Sequence, residues 1–347
     1  MEINSPFTPL KIIRHKELLE SFSQGHLVPP VTVELDPTNA CNHSCIWCMY
    51  KHFKQESPQS LPQNTLISLI SEFSEMGVKA IIFTGGGEPF MNKCTPEMIA
   101  FATKKAIEVA VVTNGELLTD DIITNVARNC TWTRISLDAA SSQTHRRCHN
   151  SKETSFEIIN TNISNLVAEK KLIRSPLTVG IGFLIHPINY TEVYDAVDNA
   201  AALGVDYIQF RPIYSFGFNL EPKIVESSQT QIERAREDFA SDNFAVYSSL
   251  HRFQSRDRDY STCFACRVVG VVAADMNTYI CCQLKGDPRF STGDLRHASF
   301  RDIWFHLDTH RICKAIDVSK CPPCRYDECN SVLNYLVIDE PKHINFL

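Results

Sequence analysis

The chain has 347 residues, of which 44% are hydrophobic and 21% charged, and a formal net charge of −6. That composition suits a globular protein with room for one large α/β domain and a smaller one. The acidic balance argues against a nucleic-acid partner, which would favour a basic face, and no run approaches the roughly 18 apolar residues of a membrane span.

The start, Met1-Glu2-Ile3-Asn4-Ser5-Pro6, lacks the basic stretch and apolar core of a signal peptide. Fourteen cysteines without secretion point to metal or redox use rather than disulfides, and to a cytoplasmic compartment. Residues 1–30 read as a lead-in with an amphipathic helix around Ile12–Phe22. From Val31 onward, β-branched apolar runs alternate with helical stretches. The strands are Val31–Leu35, Ala80–Thr84, Val109–Thr113, Arg134–Leu137, Thr178–Ile185 and Tyr207–Phe210. The helices between them fall near Gln63–Met76, Pro96–Lys105, Asp120–Ala127, Ser155–Glu169 and Thr191–Leu203. This alternation predicts an α/β fold with parallel pairing and right-handed crossovers, the sheet curling into a partial barrel. In such folds chemistry collects at the carboxyl ends of the strands.

The motifs fall at those ends. Cys41-Asn42-His43-Ser44-Cys45-Ile46-Trp47-Cys48 follows the first strand with C-x3-C-x2-C spacing. Soft thiolates this close select an iron–sulfur cluster, zinc or copper(I). Three ligands leave one iron of a cubane open to a substrate or cofactor. A structural zinc would want a fourth, and His43 has little room to chelate between its flanking cysteines. After the second strand comes Gly85-Gly86-Gly87-Glu88-Pro89, where glycines admit a close approach to a ligand or form a plain turn. Thr113-Asn114-Gly115 is a turn or a polar lining. In Arg134–Ala139 the strand period turns Ser136 and Asp138 the same way, suiting a ribose diol or a carboxylate contact, with an N-cap or surface role for Asp138 as the alternative. Arg146 and Arg147 are a solvated pair or a carboxylate clamp. Arg211 closes the sixth strand, where it would face a substrate or form a salt bridge. Cys94, Cys130 and Cys148 lack metal spacing and read as buried small hydrophobes.

Beyond a linker (Tyr214–Asn219) and a charged helix near Ser228–Asp242 lie Cys263, Cys266, Cys281, Cys282, Cys321, Cys324 and Cys329. Gly293-Asp294-Leu295 and an amphipathic helix start at Ser299–Trp304 stand between them.

C-x3-C-x-aromatic-C, with Trp47 as the aromatic, resembles the signature of the radical S-adenosylmethionine (radical SAM) superfamily. The resemblance implies a partial (β/α)6 barrel over 31–212. It also implies a [4Fe–4S] cluster on Cys41, Cys45 and Cys48, with the fourth iron chelating SAM beside Trp47. An electron from that cluster would cleave SAM to a 5′-deoxyadenosyl radical. By the same match Gly85, Gly86, Gly87 and Glu88 would hold the methionyl ammonium, and Thr113, Asn114, Ser136 and Asp138 would line the SAM pocket. A flavodoxin- or ferredoxin-type donor would supply the electron. Residues 213–258 would be a linker and helix, 259–335 a domain resembling the SPASM/twitch extension, and 336–347 a tail. That domain would carry an auxiliary [4Fe–4S] cluster on Cys263, Cys281, Cys321 and Cys324, with Cys266 and Cys329 as substitutes. Met276 replaces the family's usual hairpin glycine, and Leu333 stands where a further cysteine would be, which favours the one-cluster twitch type. A zinc knuckle is the alternative.

The leading functional expectation is oxidation of a small polar molecule of the sugar or cyclitol type, with the auxiliary cluster accepting an electron and Arg211 assisting hydroxyl deprotonation. The alternative is a peptide maturase that crosslinks or epimerises its substrate. A non-catalytic iron–sulfur or zinc protein is the reading from another class, and the Gly85–Pro89 and Ser136/Asp138 elements speak against it.

Overall fold

The computed structural model describes residues 5–51, 58–213, 220–253, 258–321 and 324–337. The linker Tyr214–Asn219, Pro322-Pro323 and residues 338–347 of the tail lie outside the described residues. Among the described residues the helices are, in chain order, α1 (Lys16–Ser23), α2 (Gln63–Met76), α3 (Thr95–Lys104), α4 (Asp120–Asn129), α5 (Ser142–His149), α6 (Ser155–Leu172), α7 (Val193–Leu203), α8 (Pro222–Phe239), α9 (Phe300–Phe305), α10 (Leu307–Lys314) and α11 (Asp327–Val337).

Six strands run parallel: β1 (Thr32–Leu35), β2 (Ala80–Phe83), β3 (Glu108–Thr113), β4 (Trp132–Ser136), β5 (Thr178–Ile185) and β6 (Tyr207–Pro212). Val33 and Leu35 are fully buried, as are Ile81 and Phe83, because helices cover one face of the sheet and the barrel interior the other. Helix α2 shows how the crossovers form. Leu66, Leu69, Ile70, Phe73 and Met76 recur at helical spacing and bury one stripe, and Gly77 ends the helix in the left-handed conformation.

Four further strands extend the sheet at both edges. β7 (Ala245–Ser248) pairs parallel with β6, and β8 (Val269–Val272) pairs parallel with β1 on its other side. β9 (Asn277–Tyr279) and β10 (Ser291–Asp294) continue antiparallel beyond β8, giving the order β10-β9-β8-β1-β2-β3-β4-β5-β6-β7. The cysteine-rich C-terminal segment therefore grows out of the barrel's first strand.

Three local expectations differ. The lead-in helix is broken at His15 into a 3-10 turn, Pro9–Arg14, and α1, and Ile13 is exposed although the amphipathic reading put it on the buried stripe. The charged helix starts earlier than its expected Ser228, because Pro222 is pre-organised for a first helical turn. Helix α5 has too few apolar residues to be read from periodicity. Ser141 caps it by accepting the Thr144 N–H, and its buried face consists of Thr144, His145, Cys148 and His149.

The lead-in is packed, not loose. Ile12, Leu19 and Phe22 form one apolar cluster with Val268 and Leu333 of α11. Phe22 is fully buried there, so Phe22→Ala is expected to lower stability by about 3–5 kcal/mol, read as a reduced denaturation midpoint with an unchanged slope.

Candidate active site

One cavity of about 270 Å³ opens at the carboxyl ends of β1–β6, and Cys41, Cys45 and Cys48 all line it. The loop carrying them is held by α5. The Ser44 N–H donates to the His149 carbonyl at 2.9 Å and the Ile46 N–H to the Cys148 carbonyl at 3.0 Å. The His149 ring reaches Cys45 Sγ with Nδ1 at 3.1 Å, while Nε2 lies 3.1 Å from the Leu137 carbonyl. A carbonyl only accepts, so Nε2 carries the proton. One residue thus ties the loop by backbone and side chain together.

His43 lines the same cavity. It contacts Glu116 Oε2 at 2.5 Å and bundles with His145 and His149, each of the three bringing a ligand nitrogen to within 4.8 Å of the others. The His145 and His149 rings stack at 4.4 Å. Burial holds His145 down to about 4 and depresses His149 well below the ordinary range, with the neighbouring imidazoles adding to both, so these two rings are neutral. Neutral imidazoles are metal donors in kind. Here two of them have outward partners, Ser151 for His145 and Leu137 for His149, and His149 also faces Cys45.

The Gly85–Glu88 segment crosses directly over this loop. A Cβ on Gly87 would stand 2.1 Å from the Ala40 carbonyl oxygen, so only glycine admits the approach that lets the Glu88 N–H donate to that carbonyl at 2.8 Å. Glu88 is 2% exposed. Its carboxylate accepts from Thr113 Oγ1 (2.7 Å), the Asn114 N–H (2.7 Å) and the Phe90 N–H (3.3 Å). The glutamate expected to reach a ligand is therefore also the brace between the second and third strand ends. Asn114 Nδ2 continues that brace to Asn42 Oδ1 in the cysteine loop at 2.7 Å.

Ser136 and Asp138 both line the cavity, but not by strand alternation. β4 ends at Ser136, and Asp138 adopts a left-handed backbone with φ of 55°. That turn delivers its carboxylate to the Leu184 N–H at 2.6 Å, with His149 Nε2 at 3.4 Å. Burial lifts the Asp138 carboxyl to about 7, against the opposing pull of the Leu184 N–H and of Arg211 and Arg134. Arg211 is in the cavity wall, and Gly182 of β5 leaves the space that Arg134 and Arg211 occupy. Trp47 lines the same cavity, its ring 5.3 Å from that of His186.

The far wall is built by the C-terminal segment through Cys282, Gln283 and Arg325, and ion pairs that the sequence reading did not single out hold it there. Lys285 Nζ meets Asp36 Oδ2 at 2.6 Å, with side chains 1% and 0% exposed, and the Gly86 N–H donates to the same oxygen at 2.9 Å. Asp36 holds Lys285 protonated, well above its ordinary range, outweighing the effect of burial. The Lys285 ammonium also sits 4.3 Å above the Tyr50 ring. Arg325 pairs with Glu34 at 2.6 Å and donates to Cys282 Sγ at 2.8 Å. Burial would raise Glu34, but Arg325 and the Tyr326 hydroxyl hold it below the usual carboxylate range. A signal for this pairing was present in the sequence. Two acids, Glu34 and Asp36, within and beside an apolar strand need cations from somewhere.

Of the other cysteines, Cys263, Cys281 and Cys321 pack around a common cluster with the buried Cys266 and Cys313. Cys324 lies within electrostatic reach of both Cys263 and Cys281. The Cys266 thiol donates to the Cys263 carbonyl at 3.1 Å. Cys329 packs instead with the Phe22 and Leu333 cluster. Cys130 and Cys148 are buried as expected, whereas Cys94 is half-buried.

Lys285→Met leaves Asp36 buried without its cation and is expected to cost about 3–5 kcal/mol. The Asp36→Asn/Lys285→Met double variant should recover part of that loss, and a denaturation cycle of the four proteins checks it.

Residues 35–222 match the model of the radical SAM superfamily. The chain is 30% identical over 127 residues to the mycofactocin maturase MftC of Mycobacterium ulcerans, covering 36% of this chain and 34% of that protein. It is 27% identical over 240 residues to the sporulation killing factor maturation protein SkfB of Bacillus subtilis, covering 67% of this chain and 56% of that one. The chain thus spans between a third and somewhat over half of the length of these curated relatives. In fold it is similar to Streptococcus suis SuiB bound to the precursor peptide SuiA, with a TM-score of 0.68 at 13% identity over 91% of this chain and 73% of that one. It is likewise similar to anSMEcpe with bound AdoMet, with a TM-score of 0.66 at 16% identity over 87% of this chain and 85% of that one. The three-cysteine loop stands at the mouth of a parallel barrel, and more than half of the sequence fits one family: this chain belongs to the radical SAM superfamily.

Proposed function

We propose that this enzyme modifies a peptide by hydrogen-atom abstraction, with Cys41, Cys45 and Cys48 holding the [4Fe–4S] cluster and the Gly85–Asp138 wall holding SAM. The observation that carries the reading is the single cavity shared by the three thiols, the Gly85–Glu88 segment and Asp138. The donor chemistry fits, since three soft sulfurs on one wall supply one ligand fewer than a cubane has irons. When bound, the cluster supplies the electron that cleaves SAM, and the fragment released takes a hydrogen atom from a substrate C–H to become 5′-deoxyadenosine.

What the chain's own residues contribute is binding, orientation and exclusion of water. His149 and the α5 carbonyls fix the thiols. Glu88 sets the Thr113–Asn114 turn against the glycine segment and presents its remaining lone pairs to the methionyl ammonium. Asp138, with a carboxyl lifted to about 7, offers a hydrogen bond to the ribose diol. Arg211 faces the substrate side and orients a carbonyl or carboxylate there. Cys263, Cys281, Cys321 and Cys324 form the auxiliary site, its four thiols drawn from the two ends of the C-terminal segment.

The choice of a peptide over the sugar or cyclitol first expected is supported by the relatives at 27–30% identity, both named for maturation. The test is mass spectrometry after anaerobic incubation with SAM, dithionite and any short peptide found encoded beside the gene, with sugars and cyclitols as the competing substrates. A peptide that loses hydrogen or takes up deuterium from the solvent, with matching 5′-deoxyadenosine, is the expected result, and Cys41→Ala should abolish both. SAM cleavage coupled to a sugar or cyclitol instead would sink the peptide reading. For the SAM pocket, Glu88→Gln removes a charge-assisted acceptor and is expected to weaken SAM binding roughly ten- to a hundredfold with iron content unchanged. Calorimetric titration of the cluster-loaded protein reads that affinity.

A further inference from the structure

We propose that the outer face of the cysteine loop is the docking surface for a small acidic one-electron carrier protein, with Arg146 and Arg147 as its anchors. The inference rests on the reading that Cys41, Cys45 and Cys48 hold the cluster, and it adds where the electron enters.

The loop is a partition. Cys45 and Cys48 line the inner cavity, while Ser44 and Ile46 line a second groove on the opposite side, of about 730 Å³. The other wall of that groove is α5 and the turn after it, through Arg146, Arg147 and Glu153, and Lys51 closes one end. Among the described residues three cations face one acid, on a chain whose net charge is −6. All three cations are exposed, and among the described residues neither arginine enters an ion pair. Ile46 stands in the same groove and is 46% exposed, an apolar contact beside a charged rim.

The two walls are tied to each other. The α5 carbonyls of Cys148 and His149 accept the Ile46 and Ser44 N–H groups, and His149 touches Cys45 Sγ. A protein seated on Arg146 and Arg147 therefore rests on the helix that directly holds the cysteine loop. An acidic carrier is repelled by most of this molecule and attracted here, which is the condition for electrostatic steering. Steering of this kind raises association rates by roughly 10 to 10³ and fades as the screening length falls with salt. The step moves a single electron. The carrier is oxidised, the cluster is reduced, and no bond or proton changes hands.

The test uses the full cluster-loaded chain and purified flavodoxin, a small acidic flavoprotein, as the probe. Reduced flavodoxin should bleach the cluster absorbance of the wild type at a rate that falls as salt rises. Oxidised flavodoxin should bind with a Kd that weakens in the same way. Arg146→Glu/Arg147→Glu is expected to slow that bleaching at least tenfold at low salt and to raise the Kd in step. SAM cleavage driven by saturating dithionite should be unchanged in that variant. Arg146→Lys/Arg147→Lys, which keeps the charge, should retain most of the flavodoxin rate. Wild-type flavodoxin rate and affinity in the doubly acidic variant would overturn the proposal. So would an equal loss of dithionite-driven cleavage, which would assign the groove to substrate or to the fold. Failure of the cluster reading is separately visible as missing iron in the wild type before flavodoxin is added, and the proposal falls with it.

Discussion

Two carboxylates at the carboxyl end of β1 constrain the whole molecule. Glu34 and Asp36 are 2% and 0% exposed, in a strand paired on both sides. Buried charges of one sign are untenable without partners. Their cations, Arg325 and Lys285, come from the far end of the chain. Folding the barrel therefore requires the C-terminal segment to be delivered to its mouth, and β8 pairing with β1 is the backbone route by which it arrives. Ion pairs of this kind add little net stability over apolar packing, but they punish a wrong arrangement severely. That makes them a device for specificity, setting one register between barrel and extension.

The same contacts make the site composite. Asp36 accepts from both Lys285 and the Gly86 N–H, so the segment expected to cradle SAM and the segment carrying the second group of cysteines share one oxygen atom. Arg325 follows Cys324 directly and reaches Glu34 and the Cys282 thiol in the cavity wall. A group held by Cys281 and Cys324 would be one residue from the cavity on each side. Cys282 and Arg325, in contact with each other in the cavity wall, thus stand beside the second group of cysteines in the chain.

On the other side of the cavity the cysteine loop is held by the α5 carbonyls and by His149. His149 and His145 are kept neutral by burial, and the stacked rings give the loop a rigid polar support. His149, fixed by its Nε2–H on the Leu137 carbonyl, turns Nδ1 to Cys45 and so sets the loop's position.

The sequence by itself determined most of the local elements and singled out the three-cysteine loop. The apolar strands and the α2 stripe were legible because periodicity and burial coincide in a parallel sheet covered on both faces. The residue spacing from Cys41 to Cys48 and Gly85 to Glu88 was legible because chemistry fixes it within a few residues of chain. What required tertiary structure was everything joined across long separations. Helix α5 has no apolar period, so its role beneath the loop emerges only when Ser44 and Ile46 are seen to donate to it. The run containing β8 read as part of a separate hairpin domain, since nothing local says that Val269–Val272 pairs with Thr32–Leu35. Asp138 reached the cavity through a left-handed turn that strand alternation does not foresee. Lys285 and Arg325 were two cations among many until the fold set them against Asp36 and Glu34, because pairing energy depends on burial, and burial belongs to the assembled chain alone.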